Sequence, residues 1–400
     1  MESQHWRRNL FVCLFGSFTT IAGLSLIMPF LPLYVAHLGV TGHAAIVQWS
    51  GVAYGATFLG AGATAPLWGK LADRHGRKVI LIRASLSMAI AVSLTGLVQD
   101  VYQLVALRLL AGVLGGYGSG SVVLVATQSP KARAGWALGV LSTGMLAGAL
   151  AGPLIGGLLP GLIGLRPTFF AAGGAIFLTF IATATLIREE ARPKGKARLY
   201  QGSAWAHVAD RRAVYAMLLT ACMLMVANMS IEPIITLYVG QVAAPGSDLA
   251  LLSGLVMAGG ALASMLAAPR VGRLTDTMGP WTVVIGCLAA TGALMIPQAF
   301  VTHVWQLIAL RFLMGLTLAG LLPAITTLIR HSVPDGAAGA ILGYSTSAQF
   351  AGQVAGPLIG GFIGAHVGMR AVFFVTAALL FAVAALNARL RPRAVPAAVV

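Results

Sequence analysis

Residues 102–108 read Tyr102-Gln103-Leu104-Val105-Ala106-Leu107-Arg108, and residues 305–311 read Trp305-Gln306-Leu307-Ile308-Ala309-Leu310-Arg311. Displaced by 203 positions, the two stretches agree in residue type throughout, including an arginine inside an otherwise apolar run. Gly112 then falls on Gly315, and the heptapeptide Ala-Gly-Pro-Leu-Ile-Gly-Gly occurs at 151–157 and again at 355–361. Gly164-Leu165-Arg166 matches Gly368-Met369-Arg370, and Met28-Pro29 matches Glu232-Pro233. A single shift of 203 or 204 residues carries one half of the chain onto the other, so the fold is a duplication.

What is duplicated follows from composition. The 400 residues are 58 % hydrophobic and 9 % charged, against about 25 % charged in soluble domains. Disulfide scaffolds, disordered tails and ordinary soluble enzymes are excluded. A membrane-crossing helix needs about 20 apolar residues. Twelve segments qualify: 9–36, 46–70, 79–98, 102–128, 135–160, 167–187, 213–239, 249–270, 281–300, 303–329, 337–364 and 370–390. Their length and lack of period-2 alternation exclude a β-barrel. The first segment runs on through Met28, Pro29 and Pro32 without a cleavage site, so it reads as a retained helix. The expected fold is an all-α membrane protein of twelve transmembrane helices. Six spans per repeat give both copies one orientation, hence two six-helix bundles related by a pseudo-twofold along the membrane normal.

Lys and Arg number 26 against 10 Asp and Glu, a net charge of +16. With both termini placed in the cytoplasm, 21 of the 26 basic residues fall on that side, whereas outer loops hold only Arg166 and Arg370. The charge therefore reads as a topology signal and not as a nucleic-acid footprint. Residues 1–187 form the first bundle, 188–212 a basic cytoplasmic linker and 213–400 the second bundle. Cys13, Cys222 and Cys287 all lie in spans, which indicates neither a disulfide nor a metal site.

Between spans two and three runs Gly-Lys-Leu-Ala-Asp-Arg-His-Gly-Arg-Lys, residues 69–78; Gly-Arg-Leu-Thr-Asp-Thr-Met-Gly at 272–279 is its weaker copy. Gly69 and Gly76 would turn the chain, while Asp73 can accept hydrogen bonds from Arg77 or from a helix N-terminus. With Arg74 and Asp276 they read as a cytoplasmic latch. Span five carries Gly139, Gly148, Gly152, Pro153, Gly156 and Gly157. Glycines at 148, 152 and 156 share a helix face and admit a second backbone, and Pro153 bends the helix. The 69–78 run resembles the signature loop of the major facilitator superfamily. The span-five spacing resembles the antiporter motif within it, and Gly23-x5-Pro29-x2-Pro32 is similar to the first-span motif of the twelve-span drug:proton antiporters. That resemblance implies export, a span-four arginine involved in proton transfer, here Arg108, and residence in the bacterial inner membrane.

Several drug antiporters place an acid in span one, where this chain has Met28. Glu232 is the carboxylate well inside a span, about 12 Å from the outer end of span seven. An acid in apolar surroundings beside a guanidinium can load and unload a proton. Glu232 is therefore the expected proton carrier, with Arg311 as partner, Arg108 as its copy in the first half and Asp73 as cytoplasmic relay. Residues expected to face a substrate cavity are Tyr34, Gln48, Tyr54, Asn228, Tyr238, Met257, Tyr344, Gln349 and Gln353. An apolar cavity with few hydrogen-bonding groups suits lipophilic compounds better than a sugar. The sequence carries no nucleotide motif, catalytic set or cofactor motif, so an ion gradient is the expected energy source. The chain reads as a monomeric transporter whose partners are lipophilic small molecules, protons and membrane lipid. A sugar or metabolite exporter of the same fold is the alternative within the class, and a non-transporting receptor or channel the alternative outside it.

Overall fold

The computed structural model describes residues 5–130, 133–189, 205, 208 and 211–391, apart from the side chains of residues 73 and 335–338. Span one is α1 (Trp6–Ser25), a 3₁₀ turn (Met28–Phe30) and α2 (Leu31–His37). Spans two and three are α3 (His43–His75) and α4 (Arg77–Thr95). Span four is α5 (Val101–Leu114) with α6 (Tyr117–Gln128), and spans five and six are α7 (Ala134–Ile163) and α8 (Leu165–Leu186). The second half repeats this order. Span seven is α9 (Arg211–Met229) with α10 (Glu232–Val242), and spans eight and nine are α11 (Leu249–Met278) and α12 (Pro280–Gln298). Span ten is α13 (Val304–Leu318) with α14 (Leu321–His331), and the last two are α15 (Asp335–His366) and α16 (Met369–Leu390). The protein is a multi-pass, all-helical membrane protein.

Helix ends follow local chemistry. Asp100 opens α5 by accepting from the Gln103 N–H at 2.8 Å, and the Gln103 side chain accepts from Gln99 N–H at 3.0 Å. At the matching position in the second half, His303 and Gln306 form a reciprocal cap on α13. Asp248 opens α11 by accepting from the N–H groups of Ala250 and Leu251. Gly76 and Gly279, at φ +94° and +80°, make the matching turns after α3 and α11, a conformation that a β-carbon disfavours.

Spans read as continuous from hydropathy are broken at matching places. Spans one and seven break before Pro29 and Pro233, and spans four and ten at Gly115-Gly116 and Ala319-Gly320. Pro32 has no N–H to give the Met28 carbonyl four residues earlier. The Tyr54 hydroxyl takes over that role, donating to Met28 O at 2.8 Å. Arg83 lies 3.4 Å over the Trp68 ring and donates to the Gly115 carbonyl at the span-four break.

Glycines set how closely the helices approach. A β-carbon at Gly148, Gly152 or Gly156 would collide with the span-one backbone at Phe18, Ala22 or Leu26, and Gly352, Gly356 and Gly360 stand likewise against span seven. One step round the same helices, the contacts cross between halves. Gly157 packs on Ala250 of α11, and Gly361 on the backbone of α3 at Val47, Gln48 and Gly51. Ten of the twelve spans are long and apolar enough to cross a membrane one by one. The other two, α3 and α15, are rich in Gly and Ala and pack on each other across the halves, so part of their surface meets protein instead of lipid.

One expectation needs correction: the run 69–78 is not an extended loop, because Gly69 lies inside α3 and Gly76 alone makes the turn. A β-carbon at Gly139 would meet nothing within 4 Å, so the seam is made by Gly148, Gly152 and Gly156, as their shared face predicts. Most of the 188–212 linker, and the Asp73 side chain, lie outside the described residues.

Candidate functional site

A cavity of about 470 Å³ lies between the two halves. The first half contributes residues of α1, the Met28 turn, α3 and α7; the second contributes residues of α9, α10, α11, α13 and α14. Its wall is mostly Leu, Ile, Val, Met, Ala and Phe, with Ser25, Asn228, Ser264, Glu232 and Arg311 as the polar exceptions. From Val256 to Ser264 along α11 the cavity runs about 12 Å toward the end that carries Arg270 and Arg273. Its other end is roofed where Pro153 of α7 meets Gly254 of α11 and Pro357 of α15 meets Gly51 of α3.

Glu232 and Arg311 are brought into this one cavity, as their positions predict. They do not form an ion pair within 4 Å: Glu232 Oε2 and Arg311 Nε are both buried and have no hydrogen-bond partner among the described residues. Each is nevertheless in the other's electrostatic field. Buried polar atoms are almost always satisfied, so an unpaired acid and base in one pocket mark a place built to receive another polar group. Asn228 and Met257 line the same cavity. Gln353 stands at its edge, with Nε2 3.7 Å from the sulfur of Met225, itself a lining residue.

The first half is not a copy of this chemistry. Arg108, the equivalent of Arg311, is 5 % exposed and its Nε is unpartnered. Its electrostatic neighbours are the Tyr54 and Tyr34 hydroxyls, in place of the carboxylate that Met28 does not supply. Tyr54 in turn is in the field of Glu232 across the cleft. Tyr54 therefore lies electrostatically between the arginine of one half and the acid of the other.

Other expected lining residues sit elsewhere. Tyr34 and Tyr238 are fully buried within their own bundles, donating at 2.7 Å to the carbonyls of Thr95 and Gln298 and packing on Phe169 and Phe373. They are twin structural residues. Gln48 is exposed near the roofed end, and Gln349 is half-buried on α15. Tyr344 is 48 % exposed with its ring against Trp205, away from the cavity.

At the basic end, the turn between α3 and α4 is held by a residue the sequence left in the linker. Glu189 accepts from the N–H groups of Arg77 and Lys78, the first two residues of α4, at 2.8 and 2.7 Å. That is the role expected of Asp73 toward a helix N-terminus. Asn9 fixes the same segment by bonding both the Arg188 N–H and its carbonyl. The adjacency of Glu189 to the end of span six was the only available signal, because nothing local places it beside residue 77. Asp276 in the second half is exposed.

Twelve membrane helices in two like halves, enclosing a cavity at their interface with unpaired charges in its wall, define a membrane transporter. The sequence profile described as the Major Facilitator Superfamily matches residues 13–297 and 246–400, and the chain belongs to that family. It is 45 % identical over 381 residues to the multidrug resistance protein MdtG of Proteus mirabilis, covering 95 % of each chain. It is 44 % identical over 374 residues to MdtG of Salmonella arizonae, covering 93 % of each. Its fold is similar to that of a bacterial homolog of the human lysosomal transporter Spinster in an inward-facing, unoccupied conformation. There the TM-score is 0.81 at 15 % identity, over 97 % of both chains.

Proposed function

We propose that the protein is a multidrug efflux transporter of the bacterial inner membrane that exchanges lipophilic compounds for protons by alternating access. The observation that carries this reading is the unpaired Glu232 and Arg311 in a largely apolar cavity between the halves. The two MdtG relatives support the substrate class. An apolar wall with a few convergent polar groups favours varied lipophilic molecules over a polyhydroxylated sugar, whose hydroxyls would lack partners.

Glu232 takes the proton, and Arg311, across the same cavity, offers its carboxylate a counter-charge. Substrate and proton then compete for one carboxylate, which is the requirement for exchange. The bundles 1–187 and 213–400 rock about the linker 188–212, with both termini and the basic end in the cytoplasm. In that orientation the cavity is roofed on the outer side, an inward-facing state. Asp73 with Arg77, supported by Glu189, makes the cytoplasmic latch. The chain works as a monomer in lipid, without a cofactor.

Expression in a sensitive bacterial strain tests the substrate class. A lowered susceptibility to structurally unrelated lipophilic dyes and antibiotics is expected. Protection against a single metabolite alone would favour the metabolite exporter instead.

A further inference from the structure

Thr236 is fully buried, and its hydroxyl donates at 2.9 Å to the carbonyl of Pro29. The two residues belong to opposite halves, Thr236 to α10 and Pro29 to the 3₁₀ turn of span one. Among hydrogen bonds in such a protein this one has an unusual position, because it must break whenever the halves separate at the roofed end.

Its surroundings add two constraints. Glu232 is the first residue of α10, and Thr236 stands one turn further along the same eleven-residue helix. The helix is interrupted at Ser230–Ile231, so α10 is a short rod that does not simply continue α9, with Glu232 at its cavity end. Any displacement of Glu232 along or about the helix axis reaches Thr236 through a single rigid turn. The charged and titratable groups facing Glu232 are Arg311 of α13 and Tyr54 of α3, with Arg108 of α5 beyond Tyr54. The second constraint is symmetry. Shifted by 204 residues, Thr236 falls on Pro32 and Pro29 falls on Pro233. Proline has neither a hydroxyl nor an N–H, so the mirror-image bond from residue 32 to residue 233 cannot form. The tie is one-sided, carried by the same half that carries the carboxylate.

We propose that Thr236 is a positioning residue of the transport cycle: its hydrogen bond to Pro29 holds the two halves together at the roofed end, and α10 ties the release of that bond to the occupancy of Glu232. This rests on the exporter reading for its place in a cycle, but the bond's effect on the conformational equilibrium can be measured without substrate. A buried hydroxyl that merely filled space would be replaced by valine at little conformational cost, which separates the two roles.

The experiment places spin labels at Thr41→Cys and Val367→Cys, at the roofed ends of the two halves, in a protein whose native cysteines are replaced. Electron–electron distances are read in nanodiscs. Thr236→Val keeps the volume and removes the donor; it is expected to raise the long-distance population by roughly 2- to 10-fold, the value of one net hydrogen bond. Thr236→Ser is expected to restore the parental distribution. Binding of a fluorescent lipophilic dye should be retained in both. Should Thr236→Val not fold, Thr236→Ala against Thr236→Ser gives the same comparison. A parental distribution in the valine or alanine variant, or a serine variant that behaves like valine, overturns the proposal. If the parent protein shows no proton-coupled efflux while the distance shift is present, the exporter reading fails and the tie between halves stands.

Discussion

The carbonyl of Pro153 in α7 occupies the space that a β-carbon on Gly254 of α11 would need, and the pseudo-twofold repeats this relationship between Pro357 of α15 and Gly51 of α3. Pro153 belongs to the glycine motif of span five, whose other members Gly148, Gly152 and Gly156 seat α7 on α1. One helix thus presents one glycine face to its own bundle and its proline carbonyl to the other. The motif is a bearing shared by two surfaces, and the second of these closes the roof of the cavity.

Gly254→Val should therefore prevent that roof from closing. Overpacking a tight seam costs about 1–3 kcal/mol, so the closed-to-open ratio, and dye efflux with it, should fall roughly 5- to 150-fold in the same variant. Gly139→Ala is the control: with nothing within 4 Å of its β-carbon, it should leave efflux and roof closure as in the parent. Fluorescent dye efflux from energised cells, with label distances across the roof, checks both.

Glu189→Gln tests the helix cap at the α3–α4 turn. Losing the charge while keeping the shape weakens both hydrogen bonds to the start of α4. The expected destabilisation is about 1 kcal/mol, read as a lower thermal midpoint of the purified protein in detergent. Glu189→Ala should be lower again. Equal midpoints for parent and alanine variant would show that the cap contributes nothing.

Tyr54→Phe and Tyr34→Phe each remove one hydroxyl that donates to a backbone carbonyl, at 2.8 and 2.7 Å. Each loses one hydrogen bond to a backbone carbonyl, a cost of about 0.5–1.5 kcal/mol, so both should lower thermal stability. Only Tyr54 lies between Arg108 and Glu232 and steadies the span-one break, so only Tyr54→Phe should also reduce the rate of efflux at saturating dye. Equal transport defects in the two variants would remove Tyr54 from the coupling network.

The duplication, the twelve spans and the glycine seam could all be read in the sequence, because each depends on composition or on spacing along one helix. Glu232 and Arg311 were also legible, since charges are rare within spans and rarity itself draws attention. What the sequence could not convey was direction around a helix. Tyr34 and Tyr238 are polar and sit within spans, but both turn into their own bundle to reach a carbonyl some 60 residues away. Glu189 escaped for a related reason: its partners, the N–H groups of residues 77 and 78, are adjacent only after span six has returned to the end where span three begins. Thr236 gave no signal at all. A threonine in a membrane helix usually bonds its own backbone, as Thr220 does, and only the fold places this one against Pro29 of the other half.

Exchange of the Glu232 proton for substrate is read out as proton release on ligand binding. Purified protein in weakly buffered detergent is mixed with a lipophilic dye cation while a pH indicator is followed. About one proton is expected per dye bound by the parent protein, and none by Glu232→Gln, which still binds the dye. Release of the same number of protons by Glu232→Gln would show that the proton is carried elsewhere.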